Sequence, residues 1–578
     1  MSDGPEAADL PVAPVPGGRV ARRRPQRRGR RSGGIYSVLL RDSVLYGGGR
    51  VLQKFLSALL LPLYTSVLSP SDYGVLGLIL VAISFIDAVV TLGFDVAFAR
   101  FYFDEATPAH RNKVITNVFF IDTVYPSIVL GLLAVFAPQI TRLILGQGHH
   151  YVLFFDLALL GEFFVNWSDL AFQVLRLDHR PYTYTAYTLA RVFVQVPVTV
   201  LLVVPLHMGV LGVLLGSTIT SFLILAAGLP IYFRRLTHRL SASLMRSMFA
   251  FAVPATFTGL IFFVLKLSDR FFLKHYQGNT EVGLYTVAFT ISQPVYLAAT
   301  AFRMAWPQWH YAKMYDPGLH KQMVARSSTY FMLVCTVMMV LQGVFMPLIV
   351  RVLGRNPAYW VVGPTTLLLT ISTVVYSLYF CFWTGANVVK KNRLIPAITA
   401  VASAVNVGLN FIFVPRFGML AAAATTVVGF AVLAGLMLPI SQRYYSIPFE
   451  WLRLVEMFAV AALVMLAAWG LQRLTRESVG MPMAGLAWRE ALKLPLVAAY
   501  PAVLLLLGFF TPGETAAVRR LLRGGWRRPR SGGPGRTDDD QGPQPGPLEE
   551  REIEDAERDE LELEASARLK ISEGESPT

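Results

Sequence analysis

Apolar runs of about 20 residues recur along the chain from residue 44 to residue 510. A helix of about 20 residues rises roughly 30 Å, the thickness of the hydrocarbon core of a bilayer. Inside hydrocarbon every backbone N–H and C=O must be paired within the chain, so only helices and closed barrels can cross. A barrel would show segments of about ten residues alternating apolar and polar. These runs are unbroken, so helices do the spanning, and the fold class is an all-α polytopic membrane protein.

Fourteen spans are predicted, at about 44–68, 74–97, 114–137, 151–175, 183–205, 209–233, 249–275, 282–305, 328–350, 359–383, 394–414, 418–440, 452–472 and 490–510. An even count puts both termini on one side, and the basic cluster RVARRRPQRRGRR (19–31) makes that side cytoplasmic. Loops assigned inside then carry 17 Lys and Arg against 7 outside, and the alternation weakens only after the twelfth span. Topology thus accounts for the formal charge of +15 without a nucleic-acid partner. The polar stretch before the first run is too long for a signal peptide, so that span is expected to be retained. Cys335 and Cys381 lie in separate spans without CxxC spacing.

The chain looks doubled. LLPLYTSVLSPSDYGVLGL (60–78) resembles LKLSDRFFLKHYQGNTEVGLY (265–285): an apolar helix, a short polar turn, then Gly at the start of the next helix. Six helices per repeat make the halves parallel, related by an axis along the membrane normal. The predicted segments are a basic N-terminal tail (1–33), a first lobe (34–248), a second lobe (249–440), two extra spans (441–510) and a Pro/Gly-rich then acidic cytoplasmic tail (511–578). In the turn LSPSDYG, Ser69 is placed to cap the second helix, with Pro70 first and Asp72 third.

Charged side chains at mid-bilayer cost about 2.5–3.5 kcal/mol on insertion scales, so they face a cavity or a partner. On the fourth span Glu162, Asn166, Asp169 and Gln173 share one helix face, and on the second Ser84, Asp87, Thr91 and Asp95 form another stripe. Arg50 and Lys54 sit one turn apart on the first span, and Lys266, Asp269 and Arg270 lie within one turn of the seventh. Such seams line a wet interior surface; the alternative is helix packing, with Asp269 satisfied by Lys266 or Arg270 and Asn166 by a neighbour's backbone. Arg50, Asp95, Lys274 and His275 are close enough to span ends to snorkel. Asn406 and Asn410 read as interhelical bonding. No HExxH, GxSxG or Walker pattern occurs, and loops are short, which points to a transporter and not an enzyme.

The stretches LYGGGRVLQKFLSALLLPLYTSVLSPSDYGVLGL (45–78) and KLSDRFFLKHYQGNTEVGLYTVAFTI (266–291) resemble the polysaccharide-export branch of the multidrug/oligosaccharidyl-lipid/polysaccharide flippase superfamily, related to lipid II flippases. The resemblance implies two six-helix lobes around a central cavity, an extra helix pair, and alternating access for a polyprenyl-diphosphate-linked glycan. It also implies a bacterial inner-membrane location, cell-surface polysaccharide export, and polysaccharide polymerase or other assembly proteins as partners. Under it, Lys54, Lys266, Arg270 and Arg50 are expected to contact the diphosphate. Asp269, Glu162, Asp169 and Asp87 then serve as counter-charges or as sites for a coupling proton or sodium ion, with no cofactor. The potential alone favours outward movement of negative charge by about 2.3 kcal/mol per charge per 100 mV. Two other readings are a cation-coupled multidrug exporter of the same superfamily and a membrane scaffold whose acidic tail recruits partners.

Overall fold

The computed structural model describes residues 60–510, apart from 106, 179, 238–239, 312–316, 390–393 and 476–478. Both tails and most of the predicted first span, with Arg50 and Lys54, lie outside the described residues. Within them the protein is helical and has no strand. The helices are α1 (Leu61–Val67), α2 (Pro70–Val90), α3 (Phe94–Tyr102), α4 (Pro108–Val135), α5 (Ala137–Ile144), α6 (His149–Leu177), α7 (Pro181–Val203), α8 (Gly209–Phe233) and α9 (Ala242–Leu267). There follow α10 (Asp269–Gln277), α11 (Asn279–Tyr311), α12 (Pro317–Val344), α13 (Met346–Leu353), a 3-10 turn (Pro357–Val362), α14 (Gly363–Val388), α15 (Ile395–Tyr444), α16 (Trp451–Leu474), α17 (Met483–Ala491) and α18 (Leu494–Leu506). Among the described residues, 10 helices are long and apolar enough to cross a membrane.

Four expected spans take a different form. The seventh is α9 and α10, which meet at Ser268. The eleventh and twelfth form one 50-residue run, α15, interrupted at Gly418, whose φ of 55° and ψ of −135° belong to no helix. A straight helix would hold residues 410 and 425 about 22 Å apart, yet Thr425 Oγ1 donates to Asn410 Oδ1 at 2.5 Å. The chain therefore folds back at Gly418, and α15 is two antiparallel arms. At the fourteenth, α17 and α18 replace a single span. Lys493, fully buried between them, pairs with Glu490 at 2.9 Å and donates to the Val344 carbonyl at 3.2 Å. With 13 residues, α18 rises only about 20 Å.

Helices α4 to α8 pack chiefly on one another, as do α10 to α15, while α2 packs chiefly on α11, α9 contacts both groups, α3 contacts α4 and α9, and α16 and α18 lie against α12. The groups meet at two ends. At one, α2 crosses the start of α11. The Ser69 cap forms as predicted: its hydroxyl accepts from Asp72 N–H at 3.2 Å and donates to the Asp72 carboxylate at 2.7 Å. Gly74 and Gly283 lie back to back at this crossing. A Cβ on Gly74 would fall well inside contact distance of the Asn279 carbonyl, and one on Gly283 would do the same to Pro70. Tyr359 donates to the Leu68 carbonyl at 3.0 Å and Thr65 to that of Leu353 at 2.6 Å, closing the same end.

At the other end Phe94 of α3 packs edge-on against Phe249 of α9 at 4.8 Å. Asp178, just past α6, accepts from the Tyr102 hydroxyl at 2.6 Å and pairs with Arg235 at 2.5 Å. Burial raises the Asp178 carboxyl, but hydrogen bonds from Arg235 and Tyr102 outweigh it and hold it below the usual carboxylate range. A carboxyl with a depressed folded value adds stability above its unfolded value, about 3.9, and loses it as pH falls through the lower folded value. Asp178→Asn should therefore lower the melting temperature of purified protein at pH 6. The gap to wild type should close as pH falls below about 4. A gap unchanged across that range would mean the carboxylate contributes nothing by its charge.

Candidate functional site

The break at Ser268 lets α9 and α10 present charged side chains to the second group of helices. Asp269, fully buried at the first position of α10, is tied down by neutral donors. Its Oδ2 accepts from Tyr285 of α11 at 2.6 Å and from Thr426 of α15 at 2.6 Å, and its Oδ1 accepts from Asn410 of α15 at 2.8 Å. Asn410 also donates at 3.2 Å to Asn406, one turn back on the same arm, and its bonds with Asp269 and Thr425 are the interhelical ones. One carboxylate thus pins α10, α11 and both arms of α15. Neither Lys266 nor Arg270 pairs with it within ion-pair distance among the described residues.

The two cations are held by aromatic rings. Lys266 Nζ lies 4.2 Å from the centre of the Tyr296 ring. Arg270, 2% exposed, has its guanidinium 4.5 Å from the Phe289 ring centre and 5.3 Å from that of Tyr285. Its Nε and Nη1 have no hydrogen-bond partner. Cation–π contact is worth up to about 2 kcal/mol or more when desolvated, against several for burying an unpaired charge. The guanidinium is left with donors to spare.

Lys266 lines a cavity with Gln293 and Tyr296 of α11, Thr373 and Tyr376 of α14, and Phe430 of α15. Its free volume is about 20 Å³, room for a water-sized molecule, so a sugar enters only if the surrounding helices separate. Tyr296 stacks on Tyr376 with ring centres 6.4 Å apart, and Arg303 donates to the Tyr376 hydroxyl at 2.8 Å. Cations and rings therefore run from Lys266 through Tyr296 and Tyr376 to Arg303.

The expected polar face of α6 is graded. Glu162 and Asn166 are buried, Gln173 is half-buried, and Asp169 is exposed. Glu162 lies in hydrogen-bonding reach of Asp87 on α2, with Asp169 and Arg191 close enough to act on its charge. Arg191, in the middle of α7, stands 3.9 Å from Asp169. Sequence reasoning passed over Arg191, although an arginine in the apolar stretch LARVFVQV is the kind of signal used for Lys266. The link from Arg303 to Tyr376 is likewise not visible in the sequence. No group of His, Cys, Asp and Glu among the described residues could hold a metal ion.

The family model of polysaccharide biosynthesis proteins matches residues 39–306. The likeness to the polysaccharide-export branch holds. No curated protein matches the chain. The lipid II flippase MurJ in its inward closed conformation is similar in structure, with a TM-score of 0.62 at 12% identity, over 80% of this chain and 98% of that one. An inward-facing multidrug resistance MATE transporter of the MOP superfamily follows at 0.54 and 14%, over 70% and 94%. A MOP superfamily transporter from Pyrococcus furiosus, described as having a binding pocket of reversed polarity, gives 0.52 and 14%, over 71% and 95%. At these identities the structures establish the fold. The polysaccharide biosynthesis match spans under half of the chain, and the long apolar helices and the shared fold are those of a multi-pass membrane protein.

Proposed function

We propose that the protein flips a polyprenyl-diphosphate-linked oligosaccharide across the bacterial inner membrane by alternating access, for cell-surface polysaccharide export. The observation that carries this reading is the pair of cations on α9 and α10. Lys266 opens onto the cavity, and Arg270 lies one turn on with two donors unused. A diphosphate supplies acceptors and negative charge to such donors, and in a low-dielectric site the attraction far exceeds its value in water. The basic cytoplasmic loops orient the molecule so that the α2–α11 crossing closes its outer side. Charge moving outward is then helped by the membrane potential. Glu162, with Asp87 in reach, is the place where a coupling proton or sodium ion would act.

The test is transport of labelled lipid-linked glycan in proteoliposomes. Lys266→Ala removes one charge-assisted contact, worth about 1.5–3 kcal/mol, and should slow transport by about 10- to 150-fold with the protein still monodisperse. Wild-type rates in that variant would sink the assignment of Lys266. Wild-type protein that moves no polyprenyl-diphosphate glycan would sink the function.

A further inference from the structure

A second cavity, about 460 Å³, lies on the other face of the seventh span, between the two helix groups. Its walls include Ala82 and Phe85 of α2, Val129 of α4, Ile144 of α5, Phe155 of α6 and Phe271 of α10, and among the described residues the Ser268 hydroxyl is the one polar side chain in its lining. Water needs two to four polar partners to stay in such a space, so the crevice suits an apolar occupant. Its upper end, near the α2–α11 crossing, meets a cation: Lys274 sits one turn beyond Phe271 on α10, with Nζ 4.0 Å from where a Cβ on Gly146 would be. Lys274 is half-buried and makes no ion pair with any carboxylate of the described residues.

We infer that this crevice seats the polyprenyl tail of the transported lipid, with its phosphate at Lys274 before the diphosphate reaches Lys266 and Arg270. The inference rests on the flippase reading above and adds the route by which the tail stays in hydrocarbon. Charge complementarity selects the occupant: an apolar slot capped by an unpaired ammonium fits an anionic amphiphile better than a neutral one. Its position fits too. The crevice is bounded by α2, α4, α5 and α6 on one side and by α9 and α10 on the other. A lipid tail that enters sideways at such a boundary stays in hydrocarbon while its head group is handled on the other face of span seven. Span seven then separates two chemistries, with Lys266 on one face and Phe263, Val264 and Phe271 on the other.

The experiment places photoreactive benzoylphenylalanine at Val129 or Phe155 of the full-length protein in phosphatidylcholine nanodiscs, with and without a synthetic polyprenyl phosphate. The expected result is an adduct with the polyprenyl chain that displaces adducts to phosphatidylcholine. Ala82→Trp, which fills the crevice, should abolish that adduct and slow glycan transport at least about tenfold. Lys274→Gln, which removes no packing, should raise the polyprenyl phosphate concentration needed by about tenfold and leave uncharged polyprenol unaffected. Adducts to phosphatidylcholine that polyprenyl phosphate does not displace overturn the inference, as do adducts to residues 44–59 of the chain itself. Either result alongside normal wild-type transport leaves the flippase reading standing; polyprenyl adducts without any wild-type transport overturn that reading alone.

Discussion

Replacing Gly283 by Ala, or Gly74 by Ala, is expected to stop transport while leaving the protein folded in the membrane. Alanine is the better helix former by about 1 kcal/mol, so neither helix is weakened. The new Cβ instead meets a backbone carbonyl of the facing helix, Pro70 for Gly283 and Asn279 for Gly74, and a carbonyl within a helix has no flexible end to give way. Overpacking of this kind costs about 1–3 kcal/mol, and it acts only in the conformation where α2 and α11 touch. A two-state equilibrium is shifted by about 5- to 150-fold on that account, towards the state with the crossing apart. A cysteine at Thr286, whose hydroxyl would lie 2.6 Å from a Cβ on Gly77, reports it. In a background without Cys335 and Cys381, its reaction with an impermeant maleimide should be slow in otherwise wild-type protein and fast in Gly283→Ala. Unchanged reactivity together with unchanged transport would show that the crossing does not have to close.

Asp269→Ala should do the opposite kind of damage, removing folded protein. The substitution strands the Tyr285 hydroxyl, the Thr426 hydroxyl and the Asn410 amide in a buried site. Each stranded donor costs about 1–3 kcal/mol, a large part of the 5–15 kcal/mol that holds an ordinary domain together. Size-exclusion of detergent extracts should show aggregation or loss of the main peak. Asp269→Asn keeps two acceptor lone pairs and the side-chain shape, and should keep most of the folded yield at a reduced melting temperature. Equal yields from Asp269→Ala and wild type would mean that the three donors find other acceptors.

The contrast shows what was legible in the sequence. Local chemistry was: the Ser69 cap needs only its next three residues, and Asn406 and Asn410 sit one turn apart on one arm. The spacing put Glu162, Asn166, Asp169 and Gln173 on one face but did not separate the buried pair, Glu162 and Asn166, from exposed Asp169. The partners of Asp269 were not legible, because they come from positions 16, 141 and 157 residues away and are chosen by packing. A charge triplet on one turn invites the reading that its members bond one another, whereas three neutral donors from other helices hydrogen-bond the Asp269 carboxylate. Arg191 and Arg303 were hidden for a related reason: one helix's pattern does not reveal which ring or carboxylate a neighbouring helix will bring to it. The crevice arises between helices far apart in the chain, and no single stretch encodes it.

The α2–α11 crossing has a further property in its numbering. Gly74 faces Asn279 and Gly283 faces Pro70, and the matched positions differ by the same amount, 279 − 70 = 209 and 283 − 74 = 209. A contact in which i meets j′ while j meets i′ is isologous, the signature of a two-fold axis in a homodimer. Here the axis lies inside one polypeptide, through the seam between its repeats. The two contacts are copies of one contact, so neither has a reason to yield before the other. Parting the two helices at this end breaks both contacts together.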